Sequence, residues 1–464
     1  MKKLLAIVIT VAMLLSFAVV GTSAAADKWD GTIATSFESG AGTEADPYVI
    51  KTASQLAYLA AKVQAGDPAT GEHYVLVSDL DLAKLEWTPI GIYIKSGNEA
   101  NCSFAGSFDG QGHTISGMSV TTTDSSIFCG LFGNVETEGY LKNIVFEDCN
   151  VTADSNSAGA LGGRVAAKEI SSIIVKENVK INGTSSVGGV VGRLKGADAK
   201  YLVSYATVET TKADSGCFGG GISGTVGAGA KLSYSANYGS VSGIGAFHGG
   251  ITGITGGDSG PGCLYNCVNF GSVAYNGEKS WFVGGISGCF AHTKNLDYVN
   301  ENCLNLGNLS ATFDGAYVGE ITGQTRTEAN ISITSCYSID IENRSFVGNE
   351  KYPYTATDLV NKTEAEIKTL ADAIVAIINT NIVVPTEPAP ETTEPAPETT
   401  EPAPETTEPA PETTEPAPET TEPAPETTAP SQGPETGDSF VIFAIVSVIS
   451  VLGVAIIAKR RENN

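Results

Sequence analysis

Residues that could perform nucleophilic chemistry are few in this sequence. The segment GDSGPG at 257–262 places Asp258 beside Ser259. A serine hydroxyl becomes a nucleophile when a histidine base and an orienting carboxylate lie within reach. The chain has four histidines, which are His73, His113, His248 and His292. A Gly/Ser/Pro loop between repeated units explains this segment fully, so we predict that Ser259 is not catalytic.

The same segment resembles the Gly-Asp-Ser-Gly of chymotrypsin-like proteases. None of the four histidines stands in the Ala-Ala-His-Cys context of that family. The resemblance therefore implies no protease activity for this chain.

A site acting on polysaccharides would combine clustered carboxylates with arginine or lysine. Arg164 and Arg193 occupy equivalent positions of a repeat, and Asp109 and His113 lie close together in the chain. No carboxylate pair recurs in register with the arginines. We interpret the arginines as solvated repeat residues and Asp109 with His113 as a polar turn. We therefore predict that the protein is not an enzyme and has no catalytic residues.

Cysteine usage indicates core packing. An exported chain could form disulfides, but the count is odd and most positions are apolar or repeated. The nine cysteines are Cys102, Cys129, Cys149, Cys217, Cys263, Cys267, Cys289, Cys303 and Cys336. Their one short spacing, Cys263-x-x-x-Cys267, has no second pair or nearby histidine, unlike a zinc site. The sequence also contains no Gly-x-x-x-x-Gly-Lys-Ser/Thr phosphate loop, so we expect neither a metal nor a cofactor.

Composition favours a repetitive β-protein. The chain has 464 residues, of which 53 are glycine and only 8% are aromatic, and the formal net charge is −25. No basic patch is present, so nucleic acid is not an expected partner. Part of the acidity comes from a linker, and the remainder favours solubility.

Seven glycine-rich cores recur with a period of about 30 residues, which indicates stacked supersecondary units. They are CGLFG at 129–133, GALGG at 159–163, GGVVG at 188–192, GGISG at 220–224, GGITG at 249–253, GGISG at 284–288 and GEITG at 319–323. A second element follows the later cores: ANYGSV at 236–241, VNFGSV at 268–273 and LNLGNL at 304–309. A four-stranded propeller blade needs about 40 residues, so the unit is too short for a propeller.

These patterns predict a β-solenoid. Stacked coils would align Val190, Ile222, Ile251, Ile286 and Ile321 as an interior ladder. Glycine would permit positive φ at the corners and close approach between coils. We also expect Asn237, Asn269 and Asn305 to form an internal asparagine ladder in which each amide bonds the next.

The cores resemble the GLUG motif of bacterial surface proteins. The resemblance covers residues 129–323, and it implies a right-handed parallel β-helix. Segments at 42–50, 80–82, 87–91 and 104–115 look like the part that opens such helices. GLUG repeats also occur in IgA-specific metallopeptidases, whose separate zinc domain carries His-Glu-x-x-His. That motif is not in this sequence, so that activity is not implied.

Two helices are predicted to cover the ends of the solenoid, because an open rung is an unpaired sheet edge. In the first, Thr52 caps the helix with Gln55 three residues later. Its apolar residues recur at helical spacing and are Leu56, Leu59, Ala60 and Val63. The second runs from about Thr363 to Thr380, with Ile367, Leu370, Ile374, Ile377 and Ile378 as its apolar residues.

Export and attachment signals lie at the two ends of the chain. Lys2 and Lys3 precede an apolar stretch, and small residues at 22–26 follow it, which together predict a cleaved signal peptide. Six TEPAPET heptads from Thr386 to Thr427 predict an extended, disordered linker. The uncharged run 440–458 is long enough to cross a bilayer. Lys459, Arg460 and Arg461 would then retain the tail on the cytoplasmic side.

The segment before this run, Gly433-Pro434-Glu435-Thr436-Gly437, resembles the LPXTG-type sorting signal. The resemblance implies that a sortase cysteine attacks the Thr436 carbonyl, that the Thr436–Gly437 bond breaks, and that a peptidoglycan amine receives the chain. Gly433 stands where the family usually has leucine, which puts the sortase class in doubt. An uncut membrane anchor is the alternative.

The predicted organisation has six parts. They are a signal peptide at 1–26, an N-terminal cap segment at 27–128, the repeat β-helix at 129–350, a C-terminal capping segment at 351–385, the linker at 386–432 and the sorting signal at 433–464.

We predict a protein that is exported and anchored to a Gram-positive cell wall, with an extracellular ectodomain. Its partners would be sortase, peptidoglycan and a glycan or host-protein ligand bound by adhesion. Aromatic residues of the late repeats, Tyr238, Tyr265, Trp281, Phe282, Phe313 and Tyr317, are candidates for that surface. The alternatives are a polysaccharide lyase or glycoside hydrolase of the β-helix type, and a passive spacer.

Overall fold

The repeated units fold into coils that stack along one axis. A computed structural model describes residues 27–92, 102–125, 127–154, 156–256, 260–290, 296–325, 329–339, 345–350, 354–357 and 362–383. One row of paired residues passes through Ile90, Phe132, Gly162, Val191, Ser223, Thr252, Ser287, Thr322 and Val347. All pairings in this row are parallel, and the chain forms a parallel β-solenoid of about eight turns. The predicted solenoid is thus confirmed, while the right-handed sense that the GLUG resemblance implies stays a prediction.

The strands form three sheets. The first, called here the long sheet, has 24 strands within the described residues. They are Asp27–Lys28, Tyr48–Ile50, His73–Leu76, Leu80–Asp81, Ser107–Asp109, Thr114–Ser116, Phe132–Glu147, Gly162–Val175, Val191–Lys195, Asp198–Ser204, Ser223–Gly227, Ala230–Ser233, Ala236–Asn237, Thr252–Thr255, Gly262–Tyr265, Val268–Asn269, Ser287–Cys289, Asp297–Glu301, Leu304–Asn305, Thr322–Gln324, Asn330–Thr334, Tyr337–Ser338, Val347–Asn349 and Thr355–Thr357.

Two smaller sheets complete each coil. The second sheet contains Ser119–Thr122, Asn150–Ala153, Lys180–Gly183, Thr207–Thr210, Ser240–Gly243, Val273–Tyr275 and Leu309–Ala311. The third sheet contains Ser186–Gly188, Phe218–Gly220, Phe247–Gly249, Phe282–Gly284 and Tyr317–Gly319. Each glycine-rich core of the later repeats therefore forms the corner between the third sheet and the long sheet.

The apolar interior is built from in-register ladders. Val190, Ile222, Ile251, Ile286 and Ile321 are fully buried. The backbone amide of each of the first four donates to the carbonyl of the next, at 2.9–3.0 Å. The predicted ladder is confirmed, and it explains why a unit of this size is stable only when stacked.

The predicted asparagine ladder is also present. Asn237 Nδ2 donates to Asn269 Oδ1 at 2.9 Å, and Asn269 Nδ2 donates to Asn305 Oδ1 at 2.9 Å. Asn305 Nδ2 continues to Ser338 Oγ at 3.2 Å, and Ser338 Oγ bonds the buried carboxylate of Glu320. The three asparagines are fully buried, so these bonds satisfy groups that would otherwise be costly inside the solenoid.

The second glycine of each later core faces this ladder. A Cβ atom at Gly250 would lie 2.2 Å from Asn269 Cγ and 2.2 Å from the Gly285 carbonyl oxygen. Close approach, as predicted, is the reason for glycine here. Positive φ is not, because none of the glycines in the five later cores lies in the left-handed region.

Left-handed backbone occurs instead at a repeated non-glycine position. The residues are Asn143, Ser172, Tyr201, Tyr234, Asn266, Asn302 and Ser335, with φ between 45° and 59°. Asparagine tolerates this conformation best among non-glycine residues. In the first three coils this residue lies inside a continuous strand of the long sheet, and in the last four it lies two residues before the next strand, so the same bend recurs in seven coils.

The N-terminal helix forms as predicted. It spans Ala53–Gln64, with a capping box between Thr52 and Gln55. Leu56 and Leu59 are fully buried in the main core. The helix lies beside Tyr48–Ile50, the strand that begins its row of parallel pairings. This placement is that of an end cap.

The C-terminal helix also forms, but it does not cover the other end. It spans Glu364–Asn381, capped by Thr363. Its buried residues pack on an outer row of the long sheet made of Val203, Ala236, Val268, Leu304 and Tyr337. Lys362 Nζ lies 4.9 Å from the Tyr337 ring, and the Val383 amide donates to Ser172 Oγ. The helix therefore runs back along the side of five coils, which corrects the predicted end cap.

Several predicted segments lie outside the described residues. They include the signal peptide, the heptads, the sorting signal and the uncharged run 440–458. Within the residues that the structure does describe, no helix is long and apolar enough to cross a membrane. The bounds of the six predicted parts stay predictions.

Candidate functional site

An open groove of about 650 Å³ crosses the outer face of the long sheet. One row across it pairs Glu136 with Ala166 and Ala166 with Lys195, in successive coils. The flanking Val165 and Leu194 are fully buried, because side chains alternate along a strand. A second row places Asp198 beside Lys231 of the next coil.

Small residues give the groove its depth. Ala167 and Ala197 are buried at its base, and Ala166, Gly196 and Gly229 line it further up. Long charged side chains form the rims. With neighbouring strands about 4.8 Å apart, four consecutive coils span roughly 14 Å.

The rims carry both signs of charge. Their ionisable residues are Glu136, Glu138, Lys168, Lys195, Asp198 and Lys231. Glu136 is neutralised, because Arg164 Nη1 lies 2.6 Å from its Oε1. Lys168, Lys195 and Lys231 form no ion pair within the described parts of the chain. Carboxylate and ammonium groups on an extended open groove are suited to hydrogen bonding a hydroxylated polymer.

Sequence reasoning singled out the two arginines and missed the three lysines. Arg164 and Arg193 do pair in register on one face. Arg164 Nη1 also donates to Asn134 Oδ1 at 2.5 Å, and Arg193 donates to Ser157 Oγ and Ser185 Oγ at 2.9 and 3.1 Å. Their guanidinium groups therefore bind neighbouring coils, and the expectation of simply solvated residues understated their structural role.

Asp109 and His113 form a polar turn, as interpreted from the sequence. Asp109 Oδ1 accepts from the Gln111 amide and from Asn143 Nδ2. His113 Nδ1 lies 3.1 Å from Asp79 Oδ1, which also accepts from the Thr114 amide. The two residues bind different partners and do not converge on one site.

The cysteines lie where core residues are expected. All nine are free, and only Cys263 is partly exposed. Burial raises the pKa of Cys303 well above its usual range, with further contributions from Cys267 and Cys336 stacked on either side. A buried thiol of this kind is unreactive. Among the described residues, no group of three or more His, Cys, Asp or Glu side chains is arranged to hold a metal ion.

Three of the six aromatic candidates, Tyr238, Phe282 and Tyr317, belong to ring stacks between coils. Phe247 lies over Phe282 and Phe282 over Tyr317, with ring centroids 5.0 and 5.2 Å apart and planes within 12°. A second stack joins Tyr205, Tyr238 and Phe270 at 4.7 Å. Because the ring faces cover each other, these stacks hold neighbouring coils together.

The predicted attachment residues cannot be placed beside this groove. Gly433, Pro434, Glu435, Thr436 and Gly437 lie outside the described residues. So do Lys459, Arg460 and Arg461, and so do Asp258 and Ser259.

Comparison with known proteins supports the fold. No family model matches the chain. A solved structure of a candidate immunoglobulin A1 protease from Bacteroides ovatus superposes with a TM-score of 0.51 at 22% identity, over 74% of this chain and 90% of that one. At this identity the likeness shows the solenoid fold alone.

Two sequence relatives match shorter stretches. Halomucin from Haloquadratum walsbyi is 29% identical over 171 residues, 36% of this chain and 2% of halomucin. A candidate Gly-rich membrane protein from Evansella cellulosilytica is 34% identical over 135 residues, 27% of this chain and 14% of that protein. The matched stretches are thus small parts of both relatives.

Proposed function

We propose that this chain is a cell-surface protein whose solenoid binds an extended glycan in the groove across four coils. The groove itself is the observation that supports binding: it is open, long and lined by groups that pair with hydroxyls. An open groove admits a polymer at any point along its length, whereas a closed pocket admits only a chain end.

Attachment to a Gram-positive cell wall is the second part of the proposal. It rests on the GLUG-like cores, the signal peptide and the LPXTG-like segment ending at Thr436. Sortase and peptidoglycan would be the partners of that step. The names of the two relatives, a mucin and a membrane protein, agree with a location at the cell surface.

Thr436→Ala tests the attachment. The variant should lose its covalent link to peptidoglycan, because the sortase acyl-enzyme forms at the Thr436 carbonyl and its recognition depends on that side chain. Cell walls are boiled in detergent and the retained protein is quantified. Thr427→Ala, in the last heptad, is the control and should stay attached. Full retention of the Thr436→Ala protein in the wall fraction would refute sortase attachment.

Ala166→Tyr tests the binding site. Ala166 lies between Glu136 and Lys195 in the groove, so a tyrosine ring fills the space without changing charge. We expect glycan binding by the purified full chain to weaken more than about tenfold, equivalent to about 1.4 kcal/mol. Binding is measured on a panel of plant and host glycans.

The matched control is Ala274→Tyr. Ala274 is a partly exposed residue of the second sheet, away from the groove. If Ala166→Tyr and Ala274→Tyr weaken glycan binding equally, the groove is not the binding site. Binding of host proteins but of no glycan would refute the glycan part of the proposal.

A polysaccharide lyase or hydrolase is the second candidate, because the groove combines carboxylates with lysines. Glu136 and Glu138 lie in one coil and Asp198 two coils further on. Shortened products after incubation would establish turnover and replace simple binding. Intact bound glycan would support binding. If the glycan is neither shortened nor bound, a passive spacer is favoured.

A further inference from the structure

The three lysines of the groove are the least explained charges on this protein. The whole chain carries a net charge of −25. Lys168, Lys195 and Lys231 nevertheless come from three successive coils to line one groove. They have no ion-pair partner among the residues that the structure describes.

Three other basic residues on the same sheet are already paired with carboxylates. Lys142 lies 3.4 Å from Asp109, and Lys200 lies 3.4 Å from Glu169. Arg164 forms an ion pair with Glu136. Three lysines without an ion pair in the described residues therefore line the groove, where their ammonium groups are available to an incoming anion.

Two carboxylates on the rims limit what kind of anion fits. Glu138 and Asp198 also line the groove, and they form no ion pair within the described residues. A polymer whose anions come with few hydroxyl donors, such as a polyphosphate or DNA, would be repelled by these carboxylates and would offer them no hydrogen bonds in return. A ligand that offers hydroxyl donors to the carboxylates and spaced anions to the lysines satisfies both sets.

We infer that the groove binds an acidic polysaccharide, a linear chain of sugars in which carboxylate groups alternate with free hydroxyls. This inference rests on the proposed glycan-binding function and specifies its ligand. The sugar carboxylates pair with Lys168, Lys195 and Lys231, and the hydroxyls donate to Glu138 and Asp198. Lys195 lies in the row of Ala166 and Lys231 in the row of Asp198, so the lysines are spread both along and across the groove and contact carboxylates of different sugar units.

The experiment compares polygalacturonate with its carboxyl-reduced form, which differs only in charge. Purified full chain is titrated with each by calorimetry, and hyaluronan and alginate serve as further carboxylated chains. We expect the carboxylated polymers to bind and the reduced polymer to bind at least about tenfold more weakly. Binding should weaken as salt is raised, because exposed charges are screened.

Lysine-to-glutamine variants identify the residues. Each of Lys168→Gln, Lys195→Gln and Lys231→Gln should weaken binding about threefold to fivefold, the range expected for exposed ion pairs. Lys180→Gln removes an exposed lysine of the second sheet and should leave binding unchanged. Unfolding midpoints should be equal in all four variants, since none of these lysines forms an ion pair with a residue that the structure describes.

The outcomes separate this inference from the function on which it rests. If the reduced polymer binds as well as polygalacturonate and Ala166→Tyr abolishes both, the groove binds glycans but the acidic specificity is wrong. The inference is overturned if polyphosphate or DNA binds as tightly as the carboxylated glycans. It is also overturned if polygalacturonate, hyaluronan and alginate all fail to bind. Unchanged binding in all three groove variants would overturn it as well.

Discussion

Replacing Asn269 with alanine is expected to lower the free energy of unfolding by about 4 kcal/mol. The Asn269 amide donates to Asn305 Oδ1 at 2.9 Å and to the Gly271 carbonyl at 3.0 Å. Its Oδ1 accepts from Asn237 Nδ2 at 2.9 Å. The substitution leaves several buried polar groups short of a partner, each costing about 1–3 kcal/mol, and adds a cavity.

Asn269→Asp separates hydrogen bonding from packing. Aspartate has the same shape, but its carboxylate cannot donate to Asn305 Oδ1 or to the Gly271 carbonyl. We expect it to be at least as destabilising as alanine at pH 7. Asn308→Ser is the control, because Asn308 is exposed in the next coil and serine occupies its equivalent positions 240 and 272.

Urea denaturation followed by circular dichroism measures these differences. A loss below about 1 kcal/mol for Asn269→Ala would show that the ladder is dispensable. A stable Asn269→Asp beside an unstable Asn269→Ala would assign the effect to side-chain volume and not to the hydrogen bonds.

The asparagine ladder could be predicted from sequence because its signal is periodic. Asn237, Asn269 and Asn305 each stand in an equivalent segment, and stacking places equivalent positions in line. The facing glycines obey the same logic, since only glycine fits against an amide at 2.2 Å. Periodicity therefore identifies both members of a buried contact when the contact repeats in every coil.

The position of the C-terminal helix could not be predicted in this way. Helical periodicity shows that one side is apolar, but it does not show which apolar surface covers that side. The outer row Val203–Ala236–Val268–Leu304–Tyr337 is such an apolar surface, and the helical pattern alone does not distinguish it from the end of the solenoid.

The groove was missed for a related reason. Lys168, Lys195 and Lys231 stand nine, seven and eleven residues after the first glycine of their cores. A register shift between Ala167 and Glu169 and turns of different length bring these unequal offsets to one place. A cluster whose residues have no fixed offset from the repeated cores can be recognised only when the strand register is known.

His248 carries the second large prediction, a loss of stability in mild acid. It lies in the third sheet, in register with Gly219 and Val283, and is fully buried. Nε2 is 2.7 Å from Thr210 Oγ1, while Nδ1 has no hydrogen-bond partner among the residues that the structure describes. Burial lowers the pKa of His248 from 6.5 to about 4, because a charged imidazolium has no solvent there.

The sign of the effect follows from this lowered pKa. Above pH 6.5 His248 is neutral in both states and costs no protonation energy. Between pH 6.5 and about 4 the unfolded chain binds a proton that the folded chain does not, so stability falls as pH falls. At 1.36 kcal/mol per pH unit, the full loss is about 3 kcal/mol by pH 4.

His248→Val should remove that loss. Valine occupies the same row in the next two coils, as Val283 and Val318, so the side chain suits the site. Urea unfolding at pH 7 and pH 4 is compared for the parent and the variant, since carboxylate titration affects both equally. His73→Gln is the control, because His73 is only partly buried and bonds Tyr140, and it should keep the acid loss. If the parent and His248→Val lose the same free energy between the two pH values, His248 is not the group that destabilises the solenoid in acid.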